Sequence, residues 1–406
     1  MGTFTVRGGK ALVGSVRVSG SKNAALPIIF ASVTTRGVSR LYNLPSITDV
    51  TDALGIVKEL GAKVWREGDV TFLDTRELHY TALNLDRVRR IRASTYLIGA
   101  CLSRFKRAEL LPFGGCSFSH RPIDMHLDAA EKFGAEINEG QLKVKKLTPA
   151  DVSFRLPSVG ATVNALILAA STKGESRIFG AAREPHIRAL IEYLKSAGAE
   201  IFDRDGIITV RGNDLHGGVA VIPGDMIEAG TFLTVSMVTD GRVRVSGFDT
   251  RELSAFTSPL LSSGVIEELS DGGITLLGRP RREISVTTGA YPAFATDLQP
   301  IFSTLLAVSR GGIIEEQVWK SRFGYLDELS RLGLSYSLNG NTARIFKSTL
   351  LSGKVTATDL RGGAAAVILA LAVNGESEVY SGELVLRGYD SFVEKLRSLG
   401  ADISYR

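Results

Sequence analysis

One local pattern occurs six times along the chain. A helix-like stretch ends in glycine and passes at once into a short strand-like segment. The copies are Leu60-Gly61-Ala62-Lys63-Val64, Phe133-Gly134-Ala135-Glu136-Ile137, Ala197-Gly198-Ala199-Glu200-Ile201, Ser263-Gly264-Val265-Ile266, Leu332-Gly333-Leu334-Ser335-Tyr336 and Leu399-Gly400-Ala401-Asp402-Ile403. Glycine at that point suits a helix that closes in the left-handed conformation, where a Cβ is costly. The period, about 68 residues, is longer than the usual solenoid repeats, so each copy is a small α/β module. Chemistry is expected where one module departs from its siblings.

A second element recurs upstream of each glycine. Strongly apolar helices are expected to begin near Ser21, Arg92, Gly160, Glu228, Thr296 and Asp359, as in Asn164-Ala165-Leu166-Ile167-Leu168-Ala169-Ala170. A helix apolar on nearly all sides is a buried one. The later helix of each module is amphipathic: Val50, Ala53, Leu54, Val57 and Leu60 fall at helical spacing. Ser46 and Asp49, three apart, read as its capping box. Each module is therefore strand, buried helix, strand, surface helix, strand, with room for one more strand.

Three buried helices share a core most simply in one domain, so six modules predict two domains. Residues 22–227 form the first, and residues 1–21 with 228–406 the second. Pro223-Gly224-Asp225 reads as a turn at one crossing. Two crossings suit a hinged cleft.

Composition narrows the partners. The net charge of +5 is spread without a run of basic residues, which argues against nucleic acid and suits a small anionic substrate. No apolar run approaches the roughly 18 residues of a membrane span, and the N-terminus has no secretory or lipidation signal. Two cysteines in 406 residues make no disulfide framework, so a reducing cytoplasm is expected. Nothing in the chain fixes an oligomeric state.

The N-termini of the buried helices carry polar and charged residues: Ser21-Lys22-Asn23, Arg92-Ala93-Ser94, Ser158-Val159-Gly160, Thr231, Thr296-Asp297 and Thr358-Asp359-Leu360-Arg361. Free N–H groups and the helix dipole make such ends anion sites, although Ser, Thr and Asp are also ordinary caps. A cation there is electrostatically disfavoured, so Lys22, Arg92 and Arg361 need another reason. Arginine also precedes the surface helix in five modules, at Arg121, Arg183, Arg251, Arg322 and Arg387. Such a recurrence includes some arginines with only structural work.

One loop departs from its siblings: Pro112-Phe113-Gly114-Gly115-Cys116-Ser117-Phe118-Ser119-His120-Arg121-Pro122-Ile123-Asp124. Paired glycines make it adaptable, and the nearby cations favour a thiolate at Cys116. Cys101, in an apolar helix, is expected to be inert packing.

These segments resemble the enolpyruvyl transferases, and within them the members that act on UDP-N-acetylglucosamine. The resemblance rests on Gly20-Ser21-Lys22-Asn23-Ala24, Arg92-Ala93-Ser94, Gly114-Gly115-Cys116 with Arg121-Pro122-Ile123-Asp124, and Pro157-Ser158-Val159-Gly160. It continues through Thr296-Asp297-Leu298-Gln299, Ser321-Arg322-Phe323, Thr358-Asp359-Leu360-Arg361 and Arg387-Gly388-Tyr389. It implies a two-domain inside-out α/β barrel of six repeated units, with the active site in the interdomain cleft and no metal or organic cofactor. It also implies transfer of an enolpyruvyl group from phosphoenolpyruvate to a sugar 3-hydroxyl, with release of phosphate, at the first committed step of peptidoglycan precursor synthesis.

By the same resemblance, Lys22, Arg121 and Arg387 would face the donor's phosphate, and Arg322 and Arg361 its carboxylate. Cys116 would supply the proton and Asp297 accept one from the hydroxyl. Arg92, Arg121, Pro122, Ile123, Asp124, Ser158, Val159, Gly160 and Asp359 would serve the nucleotide sugar, and Asn23 its sugar. His186, Ala295, Ser321 and Leu386 depart from the usual pattern, in which an acid, a proline, an asparagine and an aspartate stand there. Two alternatives stay open: a sibling transferase for another uridine nucleotide, and a silent regulatory paralogue that binds a nucleotide sugar.

Overall fold

The computed structural model describes residues 2–114, 122–270, 272–319 and 321–406. Cys116 and Arg121, with Gly115 and His120, lie outside the described residues. The described residues divide into two compact units, one of residues 20–114 with 122–223 and one of residues 2–19 with 224–406.

The glycine pattern is a backbone requirement. Gly61, Gly134, Gly198, Gly264, Gly333 and Gly400 all adopt φ between +89° and +110°. Each follows a surface helix and each is followed within two residues by a strand. The helices upstream are those anticipated. Lys22–Ala31, Leu97–Phe105 and Val159–Ala170 lie in the core of one unit. Met226–Val238, Gln299–Val308 and Leu360–Leu371 lie in the core of the other and touch one another pairwise. Arg92–Tyr96 and Thr296–Leu298 enter their helices as 3-10 turns.

Within a module the buried helix crosses over between two parallel strands, as parallel pairing demands. Asp151–Ser153 pairs parallel with Gly174–Phe179 across the helix Val159–Ala170. The surface helix Pro185–Ser196 then leads to the hairpin Glu200–Arg204 and Ile207–Gly212, which closes the sheet antiparallel. Three modules depart from this plan. Val13–Arg17 precedes the helix Lys22–Ala31 but pairs with Arg242–Ser246, and Val219–Val221 precedes the helix Met226–Val238 but pairs with Val38–Tyr42. The leading strand of each of these modules thus stays in the unit the chain is leaving. The second module has a three-stranded sheet, Arg107–Glu109, Gln141–Lys143 and Glu136–Asn138. Where its leading strand would come, a short helix Leu85–Arg90 begins, capped by Asn84. At the other end of the chain Phe4–Gly8 fills the gap between Gly375–Tyr380 and Asp402–Tyr405, completing the sixth sheet.

The chain passages are anchored within each unit. Asp225 donates from its amide to the Ser19 carbonyl at 2.9 Å in one, and Ser21 to the Pro223 carbonyl at 2.7 Å in the other. Glu228, buried, accepts from the Ser19 amide at 3.0 Å and from Lys395, whose ammonium also donates to the Ser19 hydroxyl at 2.6 Å.

The N-cap does not fall at Ser46, as the expected capping box with Asp49 requires. The helix starts at Thr48 and its N-cap is Ile47, one residue past Ser46. Asp49 is instead buried against Lys22. A tertiary ion pair has taken the carboxylate that local sequence assigned to the helix end.

Candidate active site

Three helix starts converge in the unit that holds Gly224–Arg406. Asp297, in the 3-10 turn before Gln299–Val308, accepts from Arg322 Nη2 at 2.9 Å through Oδ1 and from Arg361 Nε at 3.2 Å through Oδ2. Both guanidinium groups are buried, with side-chain exposures of 4% and 3%, whereas Asp297 is 30% exposed. Two cations brought this close repel unless an anion lies between them, and the single accessible carboxylate supplies it. Arg361 lies over the Tyr389 ring at 4.9 Å. Its two terminal amino groups are buried and meet no well-aligned acceptor among the described residues. Burial disfavours its charge, but Tyr389 and the carboxylates of Asp297 and Asp225 outweigh that and raise its pKa.

Supporting residues fix these groups. Asp359 is the N-cap of Leu360–Leu371; its Oδ1 accepts from the amides of Arg361 at 2.9 Å and Gly362 at 3.1 Å. That cap occupies one oxygen of a residue expected to serve the nucleotide sugar. Glu316, buried, was missed by sequence reasoning. It accepts from Thr296 Oγ1 at 2.7 Å and from the amides of Val318 at 2.8 Å and Trp319 at 3.0 Å. It thereby ties the turn that carries Asp297 to the loop that leads to Arg322. The only local signal was an acid just past the strand Gly312–Glu315. Arg387 ends the 3-10 turn Gly382–Arg387 and is half-buried. Leu386 packs partly buried against the core.

The other unit holds the remaining candidates. Lys22 opens its helix with 14% of its side chain exposed and pairs with the buried Asp49 at 3.4 Å. That buried acid supplies the reason a cation is tolerated at a helix N-terminus. Asn23 follows, half-buried, and Arg92 opens its 3-10 turn half-buried. Ser158 caps Val159–Ala170, its Oγ accepting from the Ala161 amide at 3.4 Å, with Val159 and Gly160 in the first turn. Pro122 is exposed, Ile123 is the N-cap of Asp124–Lys132, and Asp124 is engaged by Arg155. The Arg155 hydrogen bond holds the Asp124 carboxyl below the usual range.

The recurrent arginines divide as expected of a repeated position. Arg183 pairs with Asp203, and Arg251, almost fully exposed, with its neighbour Asp249. Of the four that are described, Arg322 alone is buried on a shared carboxylate. Cys101 is packing: it is buried, and burial pushes its thiol up to about 12.

A family model described as EPSP synthase (3-phosphoshikimate 1-carboxyvinyltransferase) matches residues 6–396. The chain belongs to this family of enolpyruvyl transferases. Among its curated relatives, UDP-N-acetylglucosamine 1-carboxyvinyltransferase of Halothermothrix orenii is 37% identical over 99% of both chains. The protein of the same name from Wolinella succinogenes is 39% identical, also over 99% of both. Among solved structures, the enolpyruvyl transferase NikO from Streptomyces tendae superposes with a TM-score of 0.90 at 27% identity, covering 100% of this chain and 99% of that one. EPSP synthase from Acinetobacter baumannii shares the fold, with a TM-score of 0.71 at 14% identity. The six-module architecture is thus the enolpyruvyl transferase fold.

Proposed function

We propose that this enolpyruvyl transferase moves the enolpyruvyl group of phosphoenolpyruvate to the 3-hydroxyl of UDP-N-acetylglucosamine, releasing inorganic phosphate, as the committing step of peptidoglycan precursor synthesis in the cytoplasm. The observation that carries this reading is the carboxylate of Asp297 shared between two buried guanidinium groups. Arginine suits a planar carboxylate because its N–H groups match it in pairs. The carboxylate of phosphoenolpyruvate is of the kind that Arg322 and Arg361 already hold.

The exchange of one carboxylate for another has a chemical consequence. A carboxylate held by two guanidinium groups is a weak base. When the donor's carboxylate draws Arg322 and Arg361 toward itself, Asp297 becomes more basic. It then takes the proton of the sugar 3-hydroxyl as that oxygen bonds to the donor's C2. Cys116 delivers a proton to the methylene carbon. Loss of phosphate from C2 and of a proton from the newly formed methyl carbon restores the double bond. Lys22, Arg121 and Arg387 hold the phosphate. Asn23, Arg92, Pro122, Ile123, Asp124, Ser158, Val159, Gly160 and Asp359 serve the nucleotide sugar. The glycines beside Cys116 suit a loop that closes to keep water from the intermediate.

Phosphate release tests the reading. Phosphoenolpyruvate with UDP-N-acetylglucosamine is expected to liberate one phosphate per enolpyruvyl product. Release only with a different uridine nucleotide, or nucleotide binding without release, would replace it with one of the alternatives.

A further inference from the structure

The helix Val159–Ala170 carries two buried polar side chains, Thr162 and Asn164, in an otherwise apolar interior. Asn164 is fully buried. Its Oδ1 accepts from the amide of Gly99 at 2.7 Å, and an amide N–H can only donate. That bond fixes which way the side chain faces. Nδ2 therefore points the other way, to the Thr95 carbonyl at 3.1 Å and to His126 Nδ1 at 2.8 Å. An amide NH2 can only donate, so Nδ1 of His126 must accept. A neutral imidazole that accepts at Nδ1 carries its proton on Nε2.

His126 is 5% exposed, and burial, aided by Arg92, pushes its pKa down to about 4, with Asp124 pulling weakly the other way. It is therefore neutral at neutral pH. Its Nε2 has no partner among the described residues. The ring edge lies against Gly160, where a Cβ would fall 2.6 Å from Cε1 and 2.8 Å from Nε2. Gly160 is in the first turn of Val159–Ala170, whose leading amide N–H groups have no acceptor within the helix. A nearly buried N–H donor and a helix N-terminus thus face the same place.

We propose that His126 is a neutral hydrogen-bond donor to the nucleotide sugar's anionic group at the N-terminus of Val159–Ala170, and that Asn164 is the positioning residue that selects its tautomer. This rests on the function proposed above. A neutral donor binds an anion without the cost of burying another charge beside Arg92.

Two-bond 1H–15N spectra of the 15N-labelled protein read the tautomer directly. At pH 7 the wild type is expected to show a proton on Nε2 of His126 and none on Nδ1, and the Nε2 signal should move when UDP is added. A proton on Nδ1, or a signal that UDP leaves in place, overturns the proposal. Asn164→Asp presents only acceptors to the ring, so at pH 8 it should bring a proton to Nδ1; a bare Nδ1 there removes the role of Asn164. His126→Phe should raise the KM for UDP-N-acetylglucosamine roughly tenfold, while His126→Gln, which keeps an N–H, stays within about threefold. Equal KM values for the two variants count against a donor at this position. A wild type that releases phosphate but whose His126 signal ignores UDP loses only this inference. A wild type that neither binds UDP nor releases phosphate loses the parent reading as well.

Discussion

Asp297 has two oxygens and gives one to each of two buried arginines. Its neutral isostere cannot do both tasks, because an amide nitrogen would meet one guanidinium with donor facing donor. Asp297→Asn is therefore expected to cut kcat by roughly 10²–10⁴, measured as steady-state phosphate release. Cys101→Ser, at a site buried among apolar side chains, is expected to leave kcat nearly unchanged in the same assay. At His126 the consequence is for stability. Its pKa is near 4 in the folded chain against an ordinary 6.5, so between those values the unfolded chain binds more protons. Stability from this residue is thus complete above pH 6.5 and is lost as pH falls toward 4, by up to about 3 kcal/mol. Urea midpoints from pH 7.5 to 4.5 should fall more steeply for wild type than for His126→Gln, and parallel curves would contradict the burial of a neutral ring. Asp297, Arg322 and Arg361 could be named as candidates from sequence because each opens an element of a repeated module. The pairing of His126 with Asn164 could not, because it joins residues 38 apart through a side-chain contact.

At the scale of the element, the recurrent glycines separate two costs that sequence merges. Gly400 has φ +97° with nothing within 4 Å of where a Cβ would stand, whereas a Cβ at Gly333, φ +89°, would fall 2.3 Å from the Thr349 carbonyl oxygen. Gly400→Ala carries only the left-handed backbone penalty, about 1 kcal/mol. Gly333→Ala adds a backbone clash and should cost about 3 kcal/mol. Denaturant midpoints of the two variants check the order, and equal losses would mean that Thr349 yields freely. The glycines were legible because the left-handed cap is a local requirement. The capping box at Ser46 and Asp49 was misread for the opposite reason. Its carboxylate had a better partner in Lys22, which lies 27 residues away in sequence and which no local pattern reveals.

For the whole molecule the informative departure is the exchange of leading strands at the two chain passages. The domains expected from sequence, 22–227 and 1–21 with 228–406, keep Val219–Val221 with the three modules before it and part Val13–Arg17 from the three after it. In the structure Val219–Val221 pairs in the sheet of Val38–Tyr42, and Val13–Arg17 in the sheet of Arg242–Ser246. The repeat was visible in sequence because every copy carries its own glycine and apolar helix. The partner of each leading strand was not, because a strand of three to five residues is the same string whichever neighbour receives it. The structure therefore predicts which segment is self-sufficient. Residues 20–223 contain every strand of their sheets and their whole apolar core. Residues 3–215 carry the same three modules but leave Val38–Tyr42 without its parallel neighbour and bring two strands, Phe4–Gly8 and Val13–Arg17, whose partners are missing. An exposed strand edge beside unpaired strands is a template for association. Expressed alone, residues 20–223 should unfold cooperatively and give a dispersed amide spectrum, while residues 3–215 should aggregate or give a collapsed one. If the longer segment folds as well as the shorter, the exchanged strands contribute little, and the modules as counted along the chain are the folding units.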